Sequence, residues 1–492
     1  MPKTSVSVGV IGAGLSGILM GIQLKRAGID DFVIYEKAGD VGGTWNCNTW
    51  PGLHCDVPSH LYAYSFEPNA NWSLLYAGQP EIKAYLRGCA EKYGLFDHLR
   101  LGTCIEKARY REEDGSWALE MQDGSTANHR VVVSATGGLT EPNLPPIEGF
   151  DDFQGSWFHS AAWRHDYDLK DKRVAVVGSA ASAVTVVPHV ASLASKLYVF
   201  QRTPNWILPR MNAAYDDAAK DAFARDATGA LSKHRQQLYR RSLVTYQAHK
   251  KQPAAIAFLR EVGMHNMKAH IKNPELIKRL TPDHDPGCKR ILIADDFYPA
   301  LAKDHVELVP EGIARLSQNG AATVSGREVE VDAVIFCTGY KLGARADGRP
   351  AVEVAGRGGV TLMQSLMSRP ESYRGVAFSG FPNYFTVCGL NGVVAYTALF
   401  ASAEVETDYI VKRIKDIEQH NLRSIEIKPE VVRRYNDAIQ PELQKMSWTG
   451  PCQNFYRDAT GRVLSFYPGT LGRMRREFRK LTLDDYTVEA AR

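Results

Sequence analysis

Apolar and polar positions alternate between two regimes along the chain. Val6, Val8, Val10 and Ile11 form a β-branched run, after which Leu15, Leu19, Ile22 and Leu24 fall roughly on one helical face. Gly28 closes that helix, and Phe32 to Tyr35 reads as a second strand. The same strand signature recurs at Val131 to Val133, which runs into Ala135-Thr136-Gly137-Gly138, and at Arg173 to Val177, which runs into Gly178. It recurs again at Val331 to Phe336, which runs into Cys337-Thr338-Gly339-Tyr340. Residues 79–97 carry a helical period. Residues 104–135 alternate around Asp114-Gly115 and Asp123-Gly124, two hairpin signals that predict a small antiparallel insert. Residues 210–280 are rich in Ala, Lys, Arg and Gln, with helical periodicity and no clear strand. A long helix is expected at about 395–420, and 429–492 mixes helix with turns. The pattern predicts an α/β fold.

The glycines between these elements add chemistry. Gly12, Gly14 and Gly17 are spaced G-x-G-x-x-G between the first strand and its helix, and Glu36 ends the second strand. The first glycine makes the turn, the second admits a pyrophosphate, and the third lets helix and strand pack closely. The helix N-terminus favours the phosphates, and the acid accepts hydrogen bonds from a ribose. A second unit reads Gly178-Ser179-Ala180-Ala181-Ser182-Ala183, a degraded form of the motif, followed by a strand from Leu197 to Phe200. That strand ends in Gln201-Arg202-Thr203 in place of an acid. An arginine there suits a ribose phosphate. The first unit therefore suits FAD and the second NADPH. The expected organisation is a FAD-binding domain in two parts, 1–138 and 339–492, around an NADPH-binding domain at 139–338. The second domain carries a helical insertion at about 210–286, and 139–148 forms a proline-rich linker. The loop from Gly42-Gly43-Thr44-Trp45 to Cys55-Asp56-Val57-Pro58-Ser59 is too long to be mere connection. Gly389-Leu390-Asn391-Gly392 is expected to lead into the long C-terminal helix and offer its N-terminus to a flavin.

Bulk composition narrows the class. A chain of 492 residues with 44% hydrophobic content and net charge +4 gives no reason to expect nucleic acid or an acidic membrane as partner. The apolar run near the N-terminus carries dinucleotide glycines and is read as fold, not as a signal peptide, and no other run is long enough to span a membrane. Cys47, Cys55, Cys89, Cys104, Cys288, Cys337, Cys388 and Cys452 form no C-x-x-C or zinc spacing. No metal site or dithiol centre is expected, and the scatter suits a reducing cytoplasm.

Between the two units lies Phe153-Gln154-Gly155-Ser156-Trp157-Phe158-His159-Ser160-Ala161-Ala162-Trp163. It fits F-x-G-x-x-x-H-x-x-x-W, and with GGTW, CDVPS, GCKR, both T-G strand ends and FPN the chain resembles the type I Baeyer–Villiger monooxygenases within the class B flavin monooxygenases. The resemblance covers nearly the whole chain. It departs at Arg164, where Pro or Asp is usual, and at Ala180 and Ala183, where glycine is common. It implies FAD, NADPH and O2, and conversion of a small-molecule ketone to an ester or lactone through a flavin peroxide and a tetrahedral adduct. Arg290 matches the family's active-site arginine and Asp56 its partner acid. His159 and Trp163 match residues that support the linker, and Lys289 and Arg202 match positions that favour the phosphorylated nicotinamide. Motifs and resemblance together nominate Gly12, Gly14, Gly17, Glu36, Gly43, Thr44, Trp45, Asp56, Gly178, Ser179, Ser182, Arg202, Thr203, Lys289, Thr338, Gly339 and Asn391 for the cofactors. The alternative is a flavin enzyme that oxygenates nitrogen or sulfur. A two-nucleotide disulfide reductase would need a close cysteine pair near the flavin, and Cys47 and Cys55 sit apart in a loop. A flavoprotein that has lost catalysis would follow from a second motif too altered to bind NADPH.

Overall fold

Two parallel five-stranded sheets organise the computed structural model, which describes residues 6–345, 347–480 and 482–491. In the first, Val8–Ile11 lies between Phe32–Tyr35 and Val131–Ser134, and Leu99–Arg100 and Tyr384–Thr386 form the edges. The strand from Tyr384 shows that the chain returns to this sheet after visiting the second. In the second, the order is Val306–Val309, Lys196–Phe200, Arg173–Val177, Ala333–Phe336, Ser156–His159.

Each sheet is covered in the same way. Helices Leu15–Arg26 and Leu399–Gln419 pack on one face of the first sheet around Val8, Val10, Val131 and Val133. Its other face is covered by the antiparallel strands Ile105–Arg111, Ser116–Met121 and Thr126–His129, through Trp117, Leu119 and Tyr110. This is the insert expected from the two Asp-Gly turns, with Gly115 at φ +71 and Gly124 at φ +84. The second sheet buries one face against helices Ala183–Val190 and Phe297–Leu301. Its other face packs on a second antiparallel meander, Ile313–Ser317, Gly320–Thr323 and Glu328–Glu330.

The stretch rich in Ala, Lys and Arg folds as helices Asp217–Arg225, Ser232–His249, Pro253–His270 and Pro274–Leu280. The two chain crossings between the sheets run side by side: Asn143 N donates to Gly339 O at 3.0 Å and Thr338 Oγ1 to Asn143 O at 2.6 Å. Among the described residues no helix is long and apolar enough to cross a membrane.

One expectation is corrected. Gly389–Gly392 does not open the long helix, because the strand Val393–Val394 intervenes and the helix begins after Ala398. These glycines serve close packing instead. A Cβ on Gly392 would lie 2.3 Å from the buried Glu406 carboxylate, and one on Gly389 would lie 2.5 Å from Gly375 O.

Candidate functional site

The first strand stops at a turn that admits no side chain. Gly12 has φ +103, and a Cβ there would lie 2.6 Å from Ala135 O, at the end of the neighbouring strand. Gly17 sits so close to the strand that a Cβ would overlap Gly12 O at 1.8 Å. Helix Leu15–Arg26 begins at Gly14 with no side-chain cap and no acid in its first turn, so its N–H groups and positive pole are left for an anion. Gly43, at φ +54, crosses over Gly14, and a Cβ on it would meet Gly14 Cα at 2.8 Å. Glu36 is buried, and its two oxygens accept Ala13 N–H and Ala38 N–H at 2.7 and 2.8 Å. Each carboxylate oxygen keeps a further lone pair for a hydroxyl. An uncapped helix end, a side-chain-free turn and an oriented acid fit the pyrophosphate and ribose of a flavin dinucleotide.

The second unit repeats this geometry. Gly178 has φ +118, and a Cβ would lie 2.4 Å from Cys337 O, the counterpart of Ala135. The departures from the motif have local reasons. Ala183 is fully buried in the core beneath the strand, and Ala180 is exposed. Ser179 and Thr203 lie together, with Ser179 Oγ 3.4 Å from Thr203 O. Arg202 is exposed, and Lys289 lies near enough that burial and then the Arg202 charge push its ammonium down against the pull of Asp283. Neither cation closes an ion pair among the described residues. An exposed arginine at the strand end with a second cation near it suits a phosphate.

One pair is hidden by sequence distance. Arg290 Nε donates to Asp56 Oδ2 at 2.6 Å and Arg290 Nη2 to Asp56 Oδ1 at 2.8 Å, a bidentate contact across 234 residues. The side chains are 49% and 31% exposed, so part of the guanidinium faces away from Asp56 into solvent. Burial raises the Asp56 carboxyl, but the Arg290 charge and hydrogen bonds outweigh it and hold it below the usual carboxylate range. The Asp56 charge raises Arg290 in return. Two residues that the motifs did not single out complete the surroundings. Tyr62 accepts a hydrogen bond from Trp45 Nε1 at 2.9 Å and faces the Asp56 and Arg290 charges. Burial raises the Tyr456 phenol against the pull of the Arg290 charge and backbone. An aromatic three positions after Ser59 was the available signal for Tyr62. Nothing local marked Tyr456.

Other nominated residues have structural partners. Asn391 spends its Nδ2 on Val463 O and Phe466 O at 3.0 and 2.9 Å, so that amide braces the C-terminal segment. Thr338 and Gly339 hold the linker, as described above. Ser182 accepts Val186 N–H through its carbonyl at 3.0 Å and makes no side-chain cap. Thr44 opens a single helical turn that carries Trp45. His159 accepts Ala161 N–H at 3.0 Å and is pushed down to about 4 by burial, and Trp163 stacks edge-on against Phe158 with ring centroids 5.2 Å apart. Arg164 turns outward to Asp166 at 2.6 Å.

The cysteine reading is also corrected. Cys288 and Cys452, separated by 164 residues, form a disulfide, while Cys47, Cys55, Cys89, Cys104, Cys337 and Cys388 are free. Spacing in the sequence carries no sign of this pair, because the fold alone brings the two segments together.

A model of the family described as flavin-binding monooxygenase-like matches residues 5–346. The chain belongs to this family. Its relatives place it among the Baeyer–Villiger enzymes within it. It is 39% identical over 485 residues to a Baeyer–Villiger monooxygenase of Streptomyces coelicolor, an alignment that covers 98% of this chain and 92% of that one. It is 38% identical over 486 residues to a Baeyer–Villiger monooxygenase of Pseudomonas aeruginosa, covering 97% of this chain and 90% of that one. Its fold matches an oxidized steroid monooxygenase bound to NADP with TM-score 0.88 at 28% identity, over 99% of this chain and 100% of that one. The flavin-binding monooxygenase-like match spans both glycine turns, Asp56, the F-x-G-x-x-x-H-x-x-x-W segment and Arg290.

Proposed function

We propose that this protein is an NADPH-dependent Baeyer–Villiger monooxygenase, which uses FAD and O2 to convert ketones to esters or lactones. The balance is ketone + O2 + NADPH + H⁺ → ester + NADP⁺ + H2O. The observation that carries the reading is the bidentate Asp56–Arg290 pair in a chain that also carries two dinucleotide turns. Bound FAD, reduced by NADPH, would supply the O2-activating chemistry and the transferred oxygen atom.

The protein supplies charge and position. Arg290 stays cationic at any working pH, and its open side stabilises negative charge that collects on the carbonyl oxygen of a ketone. Asp56 orients the guanidinium and moderates its field. We assign Gly12, Gly14, Gly17, Glu36, Gly43, Thr44 and Trp45 to the flavin, and Gly178, Ser179, Ser182, Arg202, Thr203 and Lys289 to NADPH. Residues 1–138 and 339–492 are read as the flavin lobe and 139–338 as the NADPH lobe.

The Asp56–Arg290 pair also favours ketone chemistry over oxygenation of nitrogen or sulfur, which needs no cation beside a developing oxyanion. Product analysis with cyclohexanone, 2-dodecanone, acetophenone and progesterone, set against thioanisole, tests this. Ester or lactone from at least one ketone is expected. Sulfoxide alone, with no ester from any ketone, would replace the reading with that of a heteroatom oxygenase.

A further inference from the structure

We infer that the Cys288–Cys452 disulfide positions Arg290, so that oxygen transfer to a ketone, and not reduction of the flavin, depends on the oxidation state of this pair. The inference rests on the reading of Arg290 given above. Arg290 follows Cys288 by two residues, at the point where the chain leaves the helical stretch and turns at Gly287, φ +92. Cys452 belongs to the segment that carries Tyr456 against Arg290. That segment is fitted to the arginine loop at several points besides the S–S bond. Ser447 Oγ donates to Gly287 O at 2.8 Å, and Asn454 Nδ2 donates to Cys288 O at 3.1 Å. Gly450 packs so closely that a Cβ there would lie 2.8 Å from Cys288 Sγ. His249, at the end of Ser232–His249, meets Ser447 Oγ at 3.0 Å from the other side.

The geometry gives the bond a specific task. Arg290 is half-exposed, and its guanidinium is anchored by one carboxylate. A side chain held at its tip by a single partner takes its remaining precision from its backbone. Here that backbone is tied two residues upstream to a C-terminal segment that also walls the site. Cys288 and Cys452 are 1% and 8% exposed, so the bond is screened from casual exchange. Reduction by a dithiol breaks the S–S bond, delivers two electrons and two protons to form two thiols, and releases the reductant as its own disulfide. Cys55, beside Asp56, is no competitor: burial raises its thiol far from the reactive range.

The test uses the full-length, FAD-loaded enzyme and the best-converted ketone of the panel above. Non-reducing digestion and mass spectrometry of the air-oxidised protein are expected to yield a peptide linking Cys288 to Cys452. Full reduction with dithiothreitol is expected to lower ester formed per NADPH consumed about tenfold, within the range that small misplacements of a catalytic group produce. Anaerobic flavin reduction by NADPH stays unchanged, and reoxidation with glutathione disulfide restores the yield. The C288S/C452S double variant matches the reduced enzyme and ignores dithiothreitol. If that variant fails to fold, the wild-type reduction and reoxidation series decides alone. An unchanged ester yield in fully reduced wild type, absence of the linked peptide, or a dithiothreitol response that persists in the double variant would overturn the inference. R290A run in parallel separates two failures. Ester formation retained by R290A removes the reading of Arg290 itself. Loss in R290A without loss on reduction removes the disulfide's role alone.

Discussion

At the scale of single residues, the site is a matter of where charge is left unpaired. Arg290 is paired on one side and open on the other, whereas Arg202 closes no ion pair among the described residues and Lys289 feels the Asp283 charge without a close ion pair. The second arrangement predicts cofactor choice. Replacing Arg202 with Ala removes charge-assisted contacts to a ribose phosphate, worth about 1.5–3 kcal/mol, or roughly a 10- to 100-fold rise in KM for NADPH. KM for NADH stays nearly constant, and an equal rise for both cofactors in steady-state kinetics would reject the phosphate contact. Histidines set the acid side of stability. Burial holds His60, His159 and His249 neutral, pushed down to about 3, 4 and 4. Unfolding returns them to about 6.5, so the unfolded chain takes up protons that the folded one refuses, and stability falls as pH drops from 6.5 toward 4. At pH 5 the loss is about 2 kcal/mol for each fully desolvated histidine. Melting temperatures across this interval are expected to decline toward acid, and a rise on acidification would contradict the assignment. Asp56 has linkage of the same sign at lower pH: its contribution stands above its unfolded pKa and is lost as pH falls through its lowered folded value.

At the scale of elements, the two nucleotide units are copies of one device: a strand, a glycine at positive φ, and a neighbouring strand end whose carbonyl blocks any Cβ. Gly178→Ala places a methyl 2.4 Å from Cys337 O, and Gly12→Ala places one 2.6 Å from Ala135 O. Each forces a strained turn costing about 1–3 kcal/mol. Gly12→Ala is expected to lower flavin content, read from the visible absorbance. Gly178→Ala is expected to retain the flavin and raise KM for NADPH. Flavin loss from Gly178→Ala with unchanged KM would reverse the two assignments. These units were legible because everything that defines them is local: apolar runs, glycine spacing, and a charged residue at the next strand end. The first antiparallel insert was legible from its two Asp-Gly turns. The second was not, because Ile313–Ser317, Gly320–Thr323 and Glu328–Glu330 are short and their alternation is broken by charged or small residues. Gly389–Gly392 misled because a glycine-rich stretch before a helix looks the same whether it binds an anion or lets two backbones meet.

At the scale of the whole molecule, function depends on contacts that no window of sequence contains. Asp56 and Arg290 meet across 234 residues, and Cys288 and Cys452 across 164. Motif resemblance made the first pair legible, because each member sits in a recognisable segment. Nothing made the second legible. The long loop after Glu36 reaches the helix that follows Gly178, where Trp50 Nε1 donates to Thr185 Oγ1 at 2.9 Å, and it also receives Tyr340, which donates to Asn48 Oδ1 at 2.8 Å. The arginine loop thus meets the loop after Glu36 through Asp56 and the C-terminal segment through Cys452. The central claim is that Arg290 serves oxygen transfer and not flavin reduction. The most direct measurement follows anaerobic bleaching of the flavin by NADPH and ester formed per NADPH consumed, in wild type and R290A side by side. Loss of this cation is expected to leave bleaching nearly unchanged and to reduce ester formation by about 100-fold or more. An R290A enzyme that makes ester at the wild-type yield per NADPH would contradict the account.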